Sequence, residues 1–261
     1  MSHHGYQIQV WLDVIPQPGD NSTLFVCSGM QRFKKFFPIR SGTGVASFQK
    51  CIRTNDIDLV GDGTHLTSFD MVGNFSFDAL PYSDSISMWN DIMLDLNLKL
   101  GIVVHVHPSQ PIHRKMWEDH DYKVIDDESC HWSDGEIGGY CCELYHQGLE
   151  IGNLVNTLGH STDVGFGLER LLQRVECKDR IDETSLFNMS LENPIIRDHV
   201  RTIELMLLNG VSPKAKARST ASSYYRFGQC YHRTIPISDW DPHEITTISL
   251  HHYEKLNNLN T

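Results

Sequence analysis

Between Ser47 and Phe77 the chain reads SFQKCIRTNDIDLVGDGTHLTSFDMVGNFSF, apolar and strand-like at both ends and polar between them. Cys51-Ile52 and Ser68 to Val72 predict two strands, and the Asn-, Asp-, Gly- and Thr-rich stretch Thr54 to Thr64 predicts the turn of a long antiparallel hairpin. Upstream, Tyr6 to Ile15 alternates weakly as a short strand would, until Pro16-Gln17-Pro18-Gly19-Asp20 stops it; Leu24-Phe25-Val26 predicts a further strand. Downstream, Ile86, Trp89, Ile92, Met93 and Leu96 recur at three- and four-residue spacing. That is the buried stripe of a helix from about Ser85 to Leu98, capped by Ser83 or Asp84. Ile102 to His107 predicts a strand, His113 to Asp127 a polar helix with a connector, and Tyr140 to Tyr145 another strand. Pro194 opens a helix to about Leu208, closed by Asn209-Gly210 and buried along Val200, Ile203 and Leu207. Lys214 to Cys230 predicts a basic helix, and Thr246 to Thr261 an amphipathic end.

The chain has 261 residues, enough for one large domain or a domain with an appendage. A hydrophobic content of 40% and a charged content of 21% describe an ordinary globular protein rather than a disordered one. No apolar run approaches the roughly 20 residues of a membrane span, and the N-terminus lacks a signal-peptide layout. Seven cysteines without framework spacing predict free thiols and a cytoplasmic setting. The net charge is −11, the wrong sign for a protein living on nucleic-acid affinity alone. Charge is unevenly spread, however. Leu205 to Ser238 contains no acid but holds Lys214, Lys216, Arg218, Arg226 and Arg233, so any contact with nucleic acid belongs there.

On the hairpin, Arg53 and Phe69 form a pair able to grip a phosphate and stack on a base, or simply a surface arginine beside a core aromatic. Cys130, His131, Cys141, Cys142 and His146 invite a metal hypothesis. The spacing argues against it: neither C-x-x-C nor H-x-x-x-H occurs, and adjacent Cys141 and Cys142 point to opposite strand faces. His105 and His107 share a face with no supporting ligand spacing, so no protein-built metal cage is expected.

The wording of these segments resembles class II aminoacyl-tRNA synthetases, in the alanyl-type version. Gln49-Lys50-Cys51-Ile52-Arg53, Asn55-Asp56 and Thr67 through Phe77 resemble the second signature motif, and Asp163-Val164-Gly165-Phe166-Gly167-Leu168-Glu169-Arg170 the third. Trp132, Cys141-Cys142-Glu143-Leu144-Tyr145 and Asn153-Leu154-Val155 resemble the segments between them; Cys142 stands where Thr is usual, and Gly152 where Trp is. The likeness runs from about Thr23 to Gly228, and the family's editing and C-terminal parts have no counterpart in it.

The resemblance implies an α+β fold: a mostly antiparallel sheet of six or seven strands flanked by helices, with a small C-terminal helical appendage. It implies a catalytic domain over residues 1–190 and a reduced helical tRNA-recognition region over 191–261. The implied activity is ATP-dependent activation of alanine to alanyl-adenylate and transfer to tRNA, with ATP and Mg²⁺ required. Arg53 and Arg170 are the implied catalytic arginines, and Arg53, Asp56, Phe69, Glu143, Gly167 and Arg170 the implied ATP site, with Glu143 near Mg²⁺ or the adenine end. Trp132, Asn153, Val155, Asp163 and Gly165 would enclose alanine, and Lys214, Lys216, Arg218 and Arg226 would meet tRNA. Two other readings stay open: transfer of the alanyl group to a carrier protein, peptide or small molecule, and an inactive paralogue that binds nucleotide or amino acid for regulation. The expected state is a monomer that does not engage membranes.

Overall fold

The computed structural model describes residues 6–20, 22–187 and 193–211. Its elements in chain order are β1 (Gln7–Trp11), β2 (Thr43–Ile52), β3 (Ser68–Phe77), α1 (Tyr82–Asp95), β4 (Ile102–Val106), α2 (Pro111–Glu118), β5 (Lys123–Asp126), β6 (His131–Ser133), β7 (Gly138–His146), β8 (Leu149–Thr157), β9 (Ser161–Gly167), α3 (Leu168–Val175) and α4 (Pro194–Leu208). The fold class is α+β, as expected. The strands form one sheet in the order β1-β2-β3-β9-β8-β7-β4-β5, with β6 paired to β7. Among the described residues nine strands stand where six or seven were expected. β5 and β6 have four and three residues, too short to display an alternation.

β7, β8 and β9 pair antiparallel in succession, and β3 pairs antiparallel with β9; β1–β2 and β4–β5 are the parallel pairs. The expected hairpin is present. The Gly42 N–H donates to the Phe77 carbonyl at one end, and the Arg53 N–H to the Thr67 carbonyl at the other. Leu24 to Val26 is not a strand, although the Val26 N–H reaches the Val14 carbonyl and its own carbonyl accepts from Ile52 N–H. The stretch expected as a polar helix with a connector, His113 to Asp127, is the end of α2 followed by the edge strand β5, with Asp121 turning the chain at a positive φ of 61°.

By its contacts the chain forms two compact units. Of the described residues, the first comprises 6–12, 28–49 and 70–178; the second comprises 13–20, 22–27, 50–69, 179–187 and 193–211. The first unit buries one face of its sheet against α1 and α2. Cys142, Leu144, Leu154, Val164, Phe166, Val104 and Val106 from the strands meet Ile86, Trp89, Met93 and Trp117 from the helices. At the centre Trp89 stacks on Phe166 at 4.0 Å, and its indole N–H donates to Asn74 Oδ1 at 2.7 Å. Gly152 lies opposite Phe166 in the β8–β9 register, where a Cβ would fall 2.4 Å from that ring. The Phe166 ring therefore fills the space at a position where the resemblance led one to expect Trp.

The second unit packs Val14, Phe25, Ile52 and Ile57 against Ile196, Val200, Ile203 and Met206 of α4. The α4 boundaries match expectation, and Asn193 Oδ1 caps the helix by accepting from Ile195 N and Ile196 N. Asp198, 1% exposed, accepts from the Thr67 N–H at 2.9 Å and the Thr67 hydroxyl at 2.6 Å. Among the described residues no helix is long and apolar enough to cross a membrane.

Candidate functional site

Strand register assembles the candidate residues of the first unit. Cys141 faces Val155, Val155 faces Asp163, and Asp163 faces Phe75 across four neighbouring strands. Two residues along, a second row reads His105, Glu143, Asn153, Gly165 and Gly73. Side chains two apart on a strand share a face. Glu143, Asn153, Val155, Asp163 and Gly165 therefore line one face of the sheet, opposite the face that meets α1 and α2. Trp132 joins them from β6, packing against Cys130, Cys141 and Val155. Five of these six were expected to enclose a small amino acid, and the sixth, Glu143, to meet ATP. One surface carries them all.

The glycines keep this surface flat. A Cβ on Gly73 would lie 1.8 Å from the Val164 carbonyl oxygen, and one on Gly165 would lie 2.6 Å from Met71 Cε. At these positions a side chain would push β3 and β9 apart or cover the floor of the site.

Asp163 is the electrostatic centre of the face. It is 8% exposed, and burial alone pushes its carboxyl from the ordinary 3.8 up to about 7. Among the described residues no cation or hydrogen-bond donor is paired with it. A buried carboxylate without a partner is costly, and an ammonium group brought beside it removes that cost.

Gly167 ends β9, and α3 begins at Leu168, which puts Arg170 in the helix's first turn. Its guanidinium is held by the Glu150 carbonyl at 2.9 Å and the Glu150 carboxylate at 3.3 Å. The neighbouring Glu169 is buried and accepts the Asp70 N–H on both oxygens, at 3.0 and 3.1 Å, fastening the start of α3 to β3. The sequence alone gave Glu169 no role. The one signal was its place between Leu168 and Arg170 in the motif.

Arg53, Asp56 and Phe69 belong to the second unit. Arg53 is exposed at the end of β2, its Nε donating to the Cys27 carbonyl at 2.8 Å, and its guanidinium lies 5.0 Å from the Phe69 ring centroid. The arginine and the aromatic of the hairpin are neighbours, in a cation–π contact. Asp56 is exposed at the start of the short 3₁₀ turn Ile57–Leu59, its carbonyl accepting from Leu59 N–H. Lys214, Lys216, Arg218 and Arg226 lie outside the described residues.

The register also gathers a group that linear spacing hid. Cys130, Cys141 and Glu143 each bring one potential ligand atom, and these atoms all lie within 4.8 Å of one another. Cys141 and Glu143 come from alternate positions of β7, and Cys130 from the chain leading into β6. Only the β6–β7 pairing unites them, so no short spacing motif marks them.

The family profile described as class II tRNA synthetases (A) matches residues 2–158. Alanine–tRNA ligase of Endomicrobium trichonymphae is 28% identical to the chain over 79% of it and 31% of the relative. That of Dehalococcoides mccartyi strain CBDB1 is 26% identical over 82% of the chain and 32% of the relative. The chain thus spans about a third of the length of the curated relatives it matches. Among solved structures, apo histidyl-tRNA synthetase of S. aureus shares 12% identity at a TM-score of 0.35, over 62% of this chain and 50% of that one, a likeness too slight to interpret.

Proposed function

The chain belongs to the class II tRNA synthetases (A), and on that premise we propose that it activates alanine with ATP and passes the alanyl group to tRNA. The observation that carries this reading is the buried Asp163 carboxylate, unpartnered among the described residues, on a surface it shares with Trp132, Asn153, Val155 and Gly165. Such a surface suits a small molecule with one cationic end. Asp163 takes the ammonium, Val155 and Trp132 contact the methyl group, and the Asn153 amide hydrogen-bonds the remaining polar edge. The side chain that fits is short, because Gly165 and the close approach of Met71 leave little depth.

The reaction needs no nucleophile from the protein. The alanine carboxylate oxygen attacks the α-phosphorus in line, the bond to the bridging oxygen breaks, and pyrophosphate leaves with the electron pair. Holding two anions together is the difficulty, so cationic donors aimed at the growing charge supply most of the acceleration. Arg53 is assigned to the carboxylate and α-phosphate, and Arg170 to the outer phosphate, exchanging its Glu150 contacts for phosphate oxygens. Phe69 is assigned to the adenine ring, Gly167 to close approach of the nucleotide, and Asp56 to ATP, second to Glu143 as a contact for Mg²⁺ or the adenine end. In the second step a terminal tRNA hydroxyl attacks the alanyl carbonyl and releases AMP, with Lys214, Lys216, Arg218 and Arg226 assigned to the tRNA backbone.

Mg²⁺ accompanies ATP in this family, and Glu143 was expected near it or near the adenine end of ATP. The donor set there is not a magnesium cage, because Mg²⁺ takes oxygen ligands and Glu143 shares its surroundings with two cysteine sulfurs; the carboxylate alone would add to an ion held by the nucleotide's phosphates.

The test is exchange of labelled pyrophosphate into ATP across all twenty amino acids, followed by charging of total tRNA. Exchange confined to alanine, with weaker glycine and serine signals, is the expected outcome. Absence of exchange with every amino acid removes the ligase reading.

A further inference from the structure

We infer that Cys130, Cys141 and Glu143 form a binding site for a thiophilic divalent cation, of the zinc class, in the wall of the candidate amino-acid pocket. Two thiol sulfurs and a carboxylate oxygen within 4.8 Å of one another match what a tetrahedral ion requires, with metal–sulfur bonds of about 2.3 Å and metal–oxygen bonds of about 2.0–2.2 Å. Both cysteines are buried, at 0% and 2% exposure, so the sulfurs are shielded from bulk water and oxidants. Two soft sulfurs select zinc-class ions over magnesium or calcium.

The backbone holds the ligands in place. The Cys141 N–H donates to the Cys130 carbonyl at 3.1 Å, and the Cys130 N–H to the Asp127 carbonyl at 3.2 Å. The Asp127 carboxylate in turn accepts from Ser129 N–H at 2.9 Å and Ser129 Oγ at 2.6 Å, fixing the turn that delivers Cys130. The Tyr145 hydroxyl donates to one Glu143 oxygen at 2.9 Å, orienting the carboxylate as a partner behind a metal ligand would. On binding, each thiol releases its proton to solvent, and the ion gains two thiolates and one carboxylate.

Three protein ligands leave the fourth tetrahedral position for water or a ligand heteroatom, the arrangement of an open rather than a closed site. The cysteines pack directly against Val155 and Trp132. An ion here would therefore set the shape of the pocket wall. The inference is independent of the ligase reading, since it rests on the geometry of this cluster alone.

The experiment is a cobalt titration of the reduced, chelator-treated full chain, without ATP or amino acid. The expected result is one equivalent of Co²⁺ bound, with a thiolate-to-cobalt charge-transfer band and the intense visible bands of a tetrahedral site, all displaced by Zn²⁺. Cys130→Ser should abolish the charge-transfer band or halve it. Glu143→Gln, at a half-buried position that leaves the core untouched, should weaken cobalt binding by at least the ~10–100-fold that loss of even an orienting residue costs. Absence of a charge-transfer band in the folded wild-type chain overturns the inference. So does unchanged cobalt binding in Cys130→Ser, or a Cys130–Cys141 disulfide whose reduction restores no metal binding. A chain that binds cobalt but gives no pyrophosphate exchange would separate failure of the ligase reading from failure of this one.

Discussion

Asp163 concentrates most of what a single residue does here. Its carboxyl titrates near 7 in the folded chain and near 3.8 unfolded, and burial is the whole cause. Below about pH 3.8 both states are protonated and the group costs nothing. As pH rises toward 7 the unfolded chain ionises while the folded one resists, so stability falls; above about 7 the penalty is complete. At 1.36 kcal/mol for each pKa unit it amounts to roughly 4 kcal/mol at most. Asp163→Asn should therefore stabilise the ligand-free protein, with the gain growing from pH 4 to 7 and level above that, as read by denaturant melts at several pH values. The same change should raise the KM for alanine by about 30-fold or more, the equivalent of the ~2 kcal/mol lower bound for losing one partner of a buried charge pair. It should also erase the fall in that KM expected as wild-type Asp163 ionises toward pH 7. Arg53 offers a contrasting case. It is exposed and its contacts are a carbonyl and a ring face, so Arg53→Ala should leave the melting temperature within a degree or two while pyrophosphate exchange disappears. Exchange near the wild-type rate would refute its assigned role.

Elements carry the next set of constraints. β3 and β9 pair so closely at Gly73 that a side chain there would meet the Val164 backbone, whereas one at Gly165 would meet only the movable end of Met71. Gly73→Ala would drive a methyl group into the Val164 carbonyl, and a cost of about 3 kcal/mol or more is expected in urea unfolding. In the second unit α4 is tied to Thr67 by Asp198, which lies within residues 191–261, the range expected to recognise tRNA. The described contacts make Asp198 a structural residue, because without its carboxylate the buried Thr67 N–H and hydroxyl lose this acceptor. Asp198→Ala should cost about 3 kcal/mol, measured as a lower denaturation midpoint with an unchanged slope. A loss of tRNA charging at full stability would contradict that assignment.

At the scale of the whole molecule, the net charge of −11 opposes a polyanionic partner, while the acid-free stretch from Leu205 to Ser238 favours one locally. Charging of tRNA should therefore fall steeply with salt. Replacing Arg218 and Arg226 together should weaken it and flatten the salt dependence by about two phosphate contacts, each worth a slope of ~0.9 on logarithmic axes. Pyrophosphate exchange, which needs no tRNA, should be unaffected by those two changes.

Much of this was legible in one dimension. The period of apolar residues located α1 and α4, the hairpin followed from its polar middle, and the segments around Arg53 and Arg170 carried enough wording to identify the family. Such features depend on neighbours in sequence, and local propensity reports them directly. The convergence of Glu143, Asn153, Val155 and Asp163 on one face depended on register between strands, which one sequence does not print. So did the space that Phe166 takes opposite Gly152, the burial of the Asp163 carboxylate, and the meeting of Cys130 and Cys141 with Glu143. Each is a relation between residues far apart along the chain, and hydrogen bonding across the sheet and burial, rather than spacing, decide it.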